Sequence, residues 1–222
     1  SRLGKIPILV GGTGLYLRAL SYGLFKADTD HGLRMRLQQE YADNPLQMYD
    51  RLKDIDHEYA LKISYRDKVR VVRATEVFML TGKKFSELEK DHGFREPRYD
   101  ILKIGLKREK QELYKRIDER VLAMFDQGWI EEVKHILSVG VADSARPFTG
   151  IGYREILMYL KGSIKYGDMV KDIQKQTRHY AKRQFTWFAK EKDMSWHMYP
   201  EDFEAISKEI SRFLRNGTKT DH

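Results

Sequence analysis

The sequence contains no cysteine and only five prolines among its 222 residues. Without cysteine, the chain has no disulfide framework, no zinc ribbon and no thiol nucleophile. Its apolar runs are short, and none approaches the roughly 20 residues that a membrane-spanning helix requires. No long apolar segment follows residues 1–5, as a secretory signal would need. We therefore expect a soluble, cytoplasmic protein with no membrane partner.

Several familiar catalytic motifs are missing as well. The sequence has no G-x-x-x-x-G-K-[ST] phosphate-binding loop, no H-E-x-x-H zinc motif and no G-x-S-x-G nucleophile elbow. Its seven histidines are scattered without the spacing of metal ligands. The sequence thus predicts no metal site built from its own side chains and offers no pattern for a serine hydrolase.

Positive charge is what the chain has in excess. Lys and Arg number 41 against 33 Asp and Glu, which gives a formal net charge of +8. Hydrophobic residues make up 41% of the chain, enough to bury one core with or without a smaller insertion. A basic chain favours polyanionic partners such as nucleic acid or phosphorylated ligands. Since many cytosolic proteins are mildly basic, the positions of the cations must decide between the two interpretations.

The pattern of apolar residues predicts an α/β fold that is interrupted by helices. The run 6–10 is typical of a buried strand, and a glycine-rich turn and a helix up to Gly23 follow it. Short helical segments then replace strands, the longest running from Asp67 to Leu80. Strand character returns at 99–106. The predicted domains are a first core part at 1–27, a helical insertion domain at 28–98, a mostly helical second core part at 99–215 and a frayed tail at 216–222.

The second core part is predicted to consist mainly of helices. Leu113, Ile117, Val121 and Phe125 recur every four residues, which places them on one face of a helix over 108–126. The other predicted elements are helices at 129–139, from about 152, from an N-cap at Asp168 to 192 and at 203–214, with a strand at 194–199.

The glycine-rich turn is the first candidate site. Gly11, Gly12 and Gly14 permit close approach of the backbone to a ligand, and Thr13 adds a hydroxyl group. The helix start that follows offers unpaired N–H groups to an anion. A plain strand-to-helix turn explains the same residues, so the pattern by itself leaves both interpretations open.

Two arginines on one helix face form the second candidate site. Arg116 and Arg120 are four residues apart, so their guanidinium groups lie side by side and can clamp a diphosphate. The neighbouring acids Glu112, Asp118 and Glu119 equally fit an ordinary solvated face, which the spacing alone favours.

The third candidate is a basic helix at 175–190, which carries five Lys or Arg and no acid. Arg178 and Lys182 are spaced one turn apart, beside an apolar stripe that includes Phe185. One face can therefore pack while the other presents cations and Gln184 to phosphates. Because unmatched positive charges repel each other, contact with a polyanion is the favoured interpretation.

The loop 146–154 is the fourth candidate. Its glycines, aromatic rings and arginines resemble those of RNA-binding loops, in which bases stack on rings and backbone groups contact sugars. An ordinary loop between helices explains this composition at least as well.

Five patterns occur together and in a fixed order. They are ILVGGTGLY at 8–16, D-x-x-R-x-x-R-A-x-E-V at 67–77, L-Y-x-R-I-D-x-R at 113–120, G-I-G-Y-R-E at 150–155 and Q-T-R-x-Y-A-K-R-Q-x-T-W at 176–187. In this combination the chain resembles the bacterial tRNA dimethylallyltransferase (tRNA isopentenyltransferase) family, over essentially its whole length up to the final helix.

The resemblance implies a reaction and a fold. The family transfers a dimethylallyl group from dimethylallyl diphosphate to N6 of the adenosine 3′-adjacent to the tRNA anticodon, and Mg²⁺ assists the departing diphosphate. The implied fold is a parallel sheet like that of P-loop kinases, an ATP-binding-like, nucleotide-binding architecture. The expected partners are a tRNA anticodon stem-loop and dimethylallyl diphosphate, and the expected state is a monomer.

The resemblance also assigns roles to residues. Thr13 is expected at the reacting end of a substrate channel, with Gly11 and Gly12 beside it. Arg120, and less strongly Arg116, is expected to contact the diphosphate. The candidates for contact with tRNA are Asp67, Arg70, Ile151, Gly152, Tyr153, Arg154, Arg178, Lys182, Arg183 and Gln184.

The sequence departs from the family at two points. In the family, a P-loop and an Asp-containing segment that supplies the general base precede the GGTG turn, whereas this sequence begins after them. We therefore expect the 222-residue chain by itself to be inactive. Arg66 also stands where the family usually has Asn. Two alternatives remain: a P-loop-type small-molecule kinase and a non-catalytic RNA-binding fragment.

Overall fold

The computed structural model describes residues 5–24, 27–93 and 97–217. The chain divides into two compact units. Unit 1 combines Ser1–Gly14 with Ile101–His222, and unit 2 is Leu15–Asp100. These units divide the chain at 14/15 and 100/101, close to the turn and to the return of strand character, and the sequence-based domains, which begin at 28 and 99, stay predictions. None of the described helices is long and apolar enough to cross a membrane.

Unit 2 is helical throughout its described residues. Its helices are α1 (Gly14–Tyr22, beginning at the unit boundary), α2 (His31–Asp43), α3 (Pro45–Ile55), α4 (His57–Ala60), α5 (Lys68–Thr81) and α6 (Phe85–His92). Capping residues mark both ends of α5. Asp67 accepts a hydrogen bond from the Arg70 N–H at the start of the helix, and Gly82 ends it with φ of 68°. The prediction for this helix is thus confirmed within one residue.

The core of unit 2 forms where α2, α3 and α5 meet. Leu37, Leu52 and Val71 are fully buried there. The ring of Tyr59 packs on Phe85 of α6 with centroids 4.5 Å apart. Each helix therefore contributes one apolar stripe to a shared interior, as amphipathic helices do.

Unit 1 combines two strands with five α-helices in its described residues. The elements are β1 (Lys103–Lys107), α7 (Lys110–Asp126), α8 (Trp129–Ser138), a short 3-10 helix (Arg146–Thr149), α9 (Tyr153–Leu160), α10 (Tyr166–Phe188), β2 (Met194–Met198) and α11 (Phe203–Gly217). Its core collects Trp129, Val133, Ile156, Met169 and Ile173 from α8, α9 and α10.

The two strands form a small parallel sheet that runs from the pair Lys103–Met194 to the pair Lys107–Met198. On β2, Trp196 stacks on Phe185 of α10 with ring centroids 6.1 Å apart. Ser195 and His197, which point the other way because strand side chains alternate, both reach Glu209 of α11. The fold is therefore α/β and mostly helical, with α10 and α11 attached through opposite faces of β2. A larger P-loop-like sheet stays a prediction.

Three sequence-based predictions are wrong. The apolar run 6–10 belongs to no strand, and Ile8 and Val10 are 87% and 89% exposed, because no described strand lies beside it. Helix α10 begins at Tyr166 after Lys165, not after an N-cap at Asp168. Asn216 and Gly217 end α11 instead of starting a frayed tail, and the rest of that tail lies outside the described residues.

Candidate functional site

The glycine-rich turn of unit 1 is held by two side chains of α10. The Gln184 amide Nε2 donates a hydrogen bond of 3.0 Å to the carbonyl of Gly12. A Cβ on Gly12 would lie 2.0 Å from that same amide, and a Cβ on Gly14 would lie 2.0 Å from the ring of Trp187. Gly11, by contrast, faces open space. The close approach of the rigid Trp187 ring therefore requires glycine at position 14, whereas a side chain at position 12 would displace the flexible Gln184 amide and break its bond to the turn.

Thr13 lies between these two contacts and is exposed. Its hydroxyl makes no hydrogen bond within the described part of the chain. A hydroxyl both donates and accepts, so Thr13 can serve a polar ligand without giving up a protein contact. Gln184, in contrast, already uses its amide N–H on the turn, which gives it a structural role besides the predicted contact with tRNA.

Beside the turn, the last turns of α10 and Lys190, which follows the end of that helix at Phe188, form a basic hollow of about 460 Å³. It is lined by His179, Lys182, Arg183, Thr186, Trp187 and Lys190. We call Lys182, Arg183 and Lys190 the α10 cationic surface. All three are exposed, and none forms a salt bridge with a described residue. Three cations beside a tryptophan ring suit phosphates and an unstacked base.

Arg178, one turn before Lys182, has a different environment. Its guanidinium forms a salt bridge with Asp118 of α7 and lies 5.9 Å from the centroid of the Tyr114 ring. Gln174 adds a bond from its amide to the Asp118 carbonyl at 3.3 Å. Arg178 thus joins α10 to α7, and its predicted contact with tRNA competes with this pairing.

The two arginines on α7 also differ from each other. Arg116 donates to Glu112 at 2.9 Å, and Arg108 donates to the same carboxylate oxygen at 2.7 Å. These bonds, that from Arg116 first, hold the pKa of Glu112 below its usual value. Arg120 is exposed and has no acidic partner among the described residues. Of the pair, Arg120 is therefore the one whose guanidinium is available to an anion.

The loop at 146–154 is largely built into the core of unit 1. Tyr153 packs edge-on against Trp129 and Phe148, with ring centroids 6.0 Å and 6.4 Å away. Its hydroxyl donates to Glu132, which is the main reason that the pKa of Tyr153 is raised. Gly152 has φ of 93°, and a Cβ there would lie 2.0 Å from the Trp129 ring. Ile151 packs against the same cluster.

Arg154 and Glu155 complete this local arrangement. Glu155 is buried and accepts the Gly152 N–H at 2.8 Å, and the Arg154 guanidinium pairs with the same carboxylate. The pattern at 150–155 therefore shapes the start of α9, and the predicted contacts of Ile151, Gly152, Tyr153 and Arg154 with tRNA stay predictions. So does the prediction for unit 2, where Asp67 caps α5 and Arg70 lies 3.4 Å from the Asp67 carboxylate.

The residues assigned to tRNA from the sequence do not include His179, Trp187 or Lys190, which line the basic hollow, although all three belong to the run at 175–190. Helical spacing could have found two of them. Lys190 lies two turns after Lys182, and Trp187 lies one turn after Arg183, so all four share neighbouring rows of the helix surface.

Comparison with known proteins gives a consistent result. The family model described as IPP transferase matches residues 1–191. The tRNA dimethylallyltransferase of Geobacter sulfurreducens is 41% identical over 213 residues, which cover 95% of this chain and 68% of that protein. The enzyme of the same description from Symbiobacterium thermophilum is 42% identical over 217 residues, covering 96% of this chain and 67% of that protein.

Solved structures agree with these sequence matches. The full-length tRNA isopentenylpyrophosphate transferase of Bacillus halodurans superposes with a TM-score of 0.65 at 30% identity, over all of this chain and 71% of that one. A eukaryotic dimethylallyltransferase, solved while acting on tRNA, gives a TM-score of 0.78 at 27% identity, over 97% of this chain and 58% of that one.

Proposed function

The chain belongs to the IPP transferase family of tRNA dimethylallyltransferases, and on this premise we propose that its α10 cationic surface binds tRNA during prenyl transfer. The substrates we propose are those of the resemblance: dimethylallyl diphosphate, and the N6 amine of the adenosine 3′-adjacent to the anticodon. The observation that carries the proposal is a surface of three exposed cations, directly beside the GGTG turn, that form no salt bridge with any described residue.

The geometry suggests a division of labour between the residues of this region. Lys182, Arg183 and Lys190 neutralise phosphates, and the Trp187 ring offers a stacking surface for a base that has left the anticodon stack. Thr13 is free to orient the substrates, since its hydroxyl has no partner in the described chain. A neutral amine is a weak nucleophile, so positioning it against the allylic carbon is a large part of the catalytic task.

Arg120 is the residue that we assign to the diphosphate. Negative charge grows on this leaving group as the carbon–oxygen bond breaks, and an unpaired guanidinium that contacts it stabilises the transition state. Within the described residues, no group of three or more His, Asp or Glu side chains could hold a metal ion. Mg²⁺ stays an expectation from the family.

The sequence contains no G-x-x-x-x-G-K-[ST] loop, which the family uses in its catalytic core. We propose that these 222 residues on their own bind tRNA but transfer prenyl groups slowly, at least about 100-fold below a complete enzyme. Transfer from labelled dimethylallyl diphosphate to tRNA measures this. Robust turnover by the purified chain would contradict the proposed loss of rate.

Binding of tRNA as a function of salt tests the α10 cationic surface. In the double variant Lys182→Ala/Arg183→Ala, the slope of log affinity against log salt should fall by about 2, roughly one unit per lost phosphate contact. The matched control is Lys115→Ala/Lys134→Ala, since these two lysines of unit 1 already pair with Glu119 and Glu131. Equal slopes for the two double variants would overturn the assignment.

A further inference from the structure

The last helix, α11, lies beyond the residues that the family model matches, which end at 191. Its orientation is fixed by one residue. Glu209 accepts hydrogen bonds from the Ser195 hydroxyl and from His197 Nε2, the latter at 2.8 Å. Ile206 and Phe213, which lie near Glu209 on the helix surface, are partly buried. The opposite side of α11 therefore faces away from β2.

That opposite side carries a second basic hollow, of about 410 Å³. It is lined by Ser207, Lys208, Ser211, Arg212 and Arg215, all of which are exposed. Lys208 and Arg215 are seven residues apart, so the cations extend over two helical turns, about 10.5 Å. We call Lys208, Arg212 and Arg215 the α11 cationic surface.

The polar neighbours of this surface leave Lys208 without a salt bridge in the described residues and give Arg212 only a carboxylate that β2 already binds. The hydroxyls of Ser207 and Ser211 donate to backbone carbonyls of their own helix, at 3.0 Å and 2.8 Å. Lys208 forms no salt bridge with any described carboxylate. Arg212 lies one turn after Glu209 and interacts with it electrostatically, although Glu209 already accepts hydrogen bonds from β2. The other nearby acid is Glu204, one turn before Lys208.

A purely structural explanation covers only part of this surface. Cations near the carboxyl end of a helix interact favourably with its dipole, which accounts for Arg215 in the last turn. The dipole effect fades within one turn, so it does not account for Lys208 in the middle of the helix. Lys208 is better explained by an external anion, and Arg212, which is exposed, can contact the same anion in addition to Glu209.

We propose that the α11 cationic surface is a second contact for the phosphate backbone of RNA, separate from the α10 cationic surface. The inference rests on the proposed function, since the RNA in question is the tRNA substrate. RNA fits better than a lipid surface because helices that lie on membranes insert apolar side chains next to their cations. On α11 the apolar residues Ile206 and Phe213 lie on the opposite side and are partly buried, and the exposed apolar residues Phe203 and Ile210 do not line the basic hollow.

The test compares tRNA binding by two double variants and their combination. Lys208→Ala/Arg212→Ala should lower the slope of log affinity against log salt by about 2, as should the pair Lys182→Ala/Arg183→Ala. The fourfold variant should lose the sum of both slopes, because separate surfaces act independently. The control Lys115→Ala/Lys134→Ala removes the same charge from unit 1 and should keep the wild-type slope.

The outcomes separate this inference from the proposed function. A loss of slope in the α10 variant together with a wild-type slope in the α11 variant overturns only the second contact. Wild-type slopes in both variants overturn both assignments. If the α11 variant binds tRNA normally but no longer binds vesicles of phosphatidylserine and phosphatidylcholine, then the surface recognises lipid, and the inference is wrong.

A second variant guards against damage to the helix. Lys208→Gln/Arg212→Gln keeps long aliphatic stems and good helix formers at both positions while removing the charge. If the alanine variant melts at a lower temperature than the wild type, the salt dependence of tRNA binding by the glutamine variant is the deciding measurement. A slope lowered by about 2 supports the second contact, and a wild-type slope refutes it.

Discussion

In unit 2 the buried charge is matched inside the protein, whereas in unit 1 helix α10 presents cations that no described acid matches. Glu76 of unit 2 is fully buried and accepts bonds from Arg34 and Arg73, both at 2.8 Å. Lys182 and Arg183 of α10 are exposed and form no salt bridge with any described residue, and the Arg183 guanidinium lies 5.7 Å from the centroid of the Tyr180 ring. A buried ion pair maintains the fold, whereas exposed cations without acidic partners indicate a surface that can bind an external anion.

The ionisation of Glu76 shows how complete the matching is. Burial by itself would raise the pKa of this carboxyl, yet the hydrogen bonds from Arg34 and Arg73 outweigh burial and hold the pKa below its usual value. The backbone N–H of Asp30 adds a further bond of 3.3 Å. Glu76 is therefore charged in the folded protein at neutral pH, and both arginines depend on it.

The largest expected effect comes from breaking this matched site. Glu76→Ala should lower the free energy of unfolding by about 3 kcal/mol, because it leaves two arginines without their buried partner. Urea unfolding followed by circular dichroism measures the change. Glu40→Ala is the control, since Glu40 pairs with Arg51 at the surface and its loss should cost less than about 1 kcal/mol. Equal losses of unfolding free energy in the two variants would show that the buried ion pairs of Glu76 stabilise the fold no more than the surface pair of Glu40 does.

The second prediction uses the two arginines of α7. Arg120→Ala should weaken binding of inorganic pyrophosphate about tenfold, since a charge-assisted hydrogen bond is worth roughly that factor or more. Thermal stability should change little, because Arg120 is exposed and unpaired within the described chain. Arg116→Ala is the matched control and should bind pyrophosphate like the wild type. Calorimetric titration gives both affinities, and a wild-type value for Arg120→Ala would refute the assignment.

A third prediction compares a paired and an unpaired cation on the same helix, α10. Arg178→Ala should lower the free energy of unfolding by about 1 kcal/mol, since its partly buried bridge to Asp118 joins α10 to α7. Lys182→Ala, one turn later, should change stability by less than about 0.5 kcal/mol but weaken tRNA binding at low salt. Thermal melts and binding curves for both variants are needed. If Arg178→Ala weakened tRNA binding and Lys182→Ala lowered stability, then the salt bridge of a cation on this helix would not indicate whether it serves the fold or binding.

The smallest expected effect is the pH dependence of the stability that Glu209 contributes to the fold. Hydrogen bonds from Ser195 and then His197 hold the pKa of Glu209 below its usual value. A lowered pKa in the folded state stabilises the fold above the unfolded value of about 4.3, and this stabilisation is lost as the pH falls through the folded pKa. The stability difference between wild type and Glu209→Gln should therefore be largest near neutral pH and shrink below about pH 4. If the stability difference between wild type and Glu209→Gln stayed unchanged down to about pH 3, the lowered pKa of Glu209 would be contradicted.

Local signals predicted much of the fold. Asp67 and Gly82 mark the two ends of α5 in the sequence as in the structure, because caps act within a few residues of the helix that they end. The strands at 103–107 and 194–198 were also predictable from apolar, β-branched and aromatic composition. The run 6–10 misled because composition reports the tendency to form a strand and not the presence of a neighbour to pair with.

The site was less accessible to sequence reasoning, for a physical reason. The run at 175–190 indicated a cationic helix, but it could not tell that Arg178 is matched by Asp118, which is 60 residues away. Nor could it tell that Gln184 supports the turn at Gly12, which is 172 residues away. Such pairings depend on tertiary packing, so only the structure separates the cations that join helices from the cations that remain exposed.

The pairing of β1 with β2 has a consequence for the order in which unit 1 folds. Its partners Lys103 and Met194 lie roughly 90 residues apart along the chain, so joining them closes a long loop at a considerable entropic cost. Helices α7 to α10 fill that loop with contacts of shorter range, and their packing brings the two strand segments near each other. We therefore expect the sheet to close late. The bonds of α11 to Ser195 and His197 of β2 span only 14 and 12 residues, so β2 and α11 can join before the sheet closes and reach β1 together.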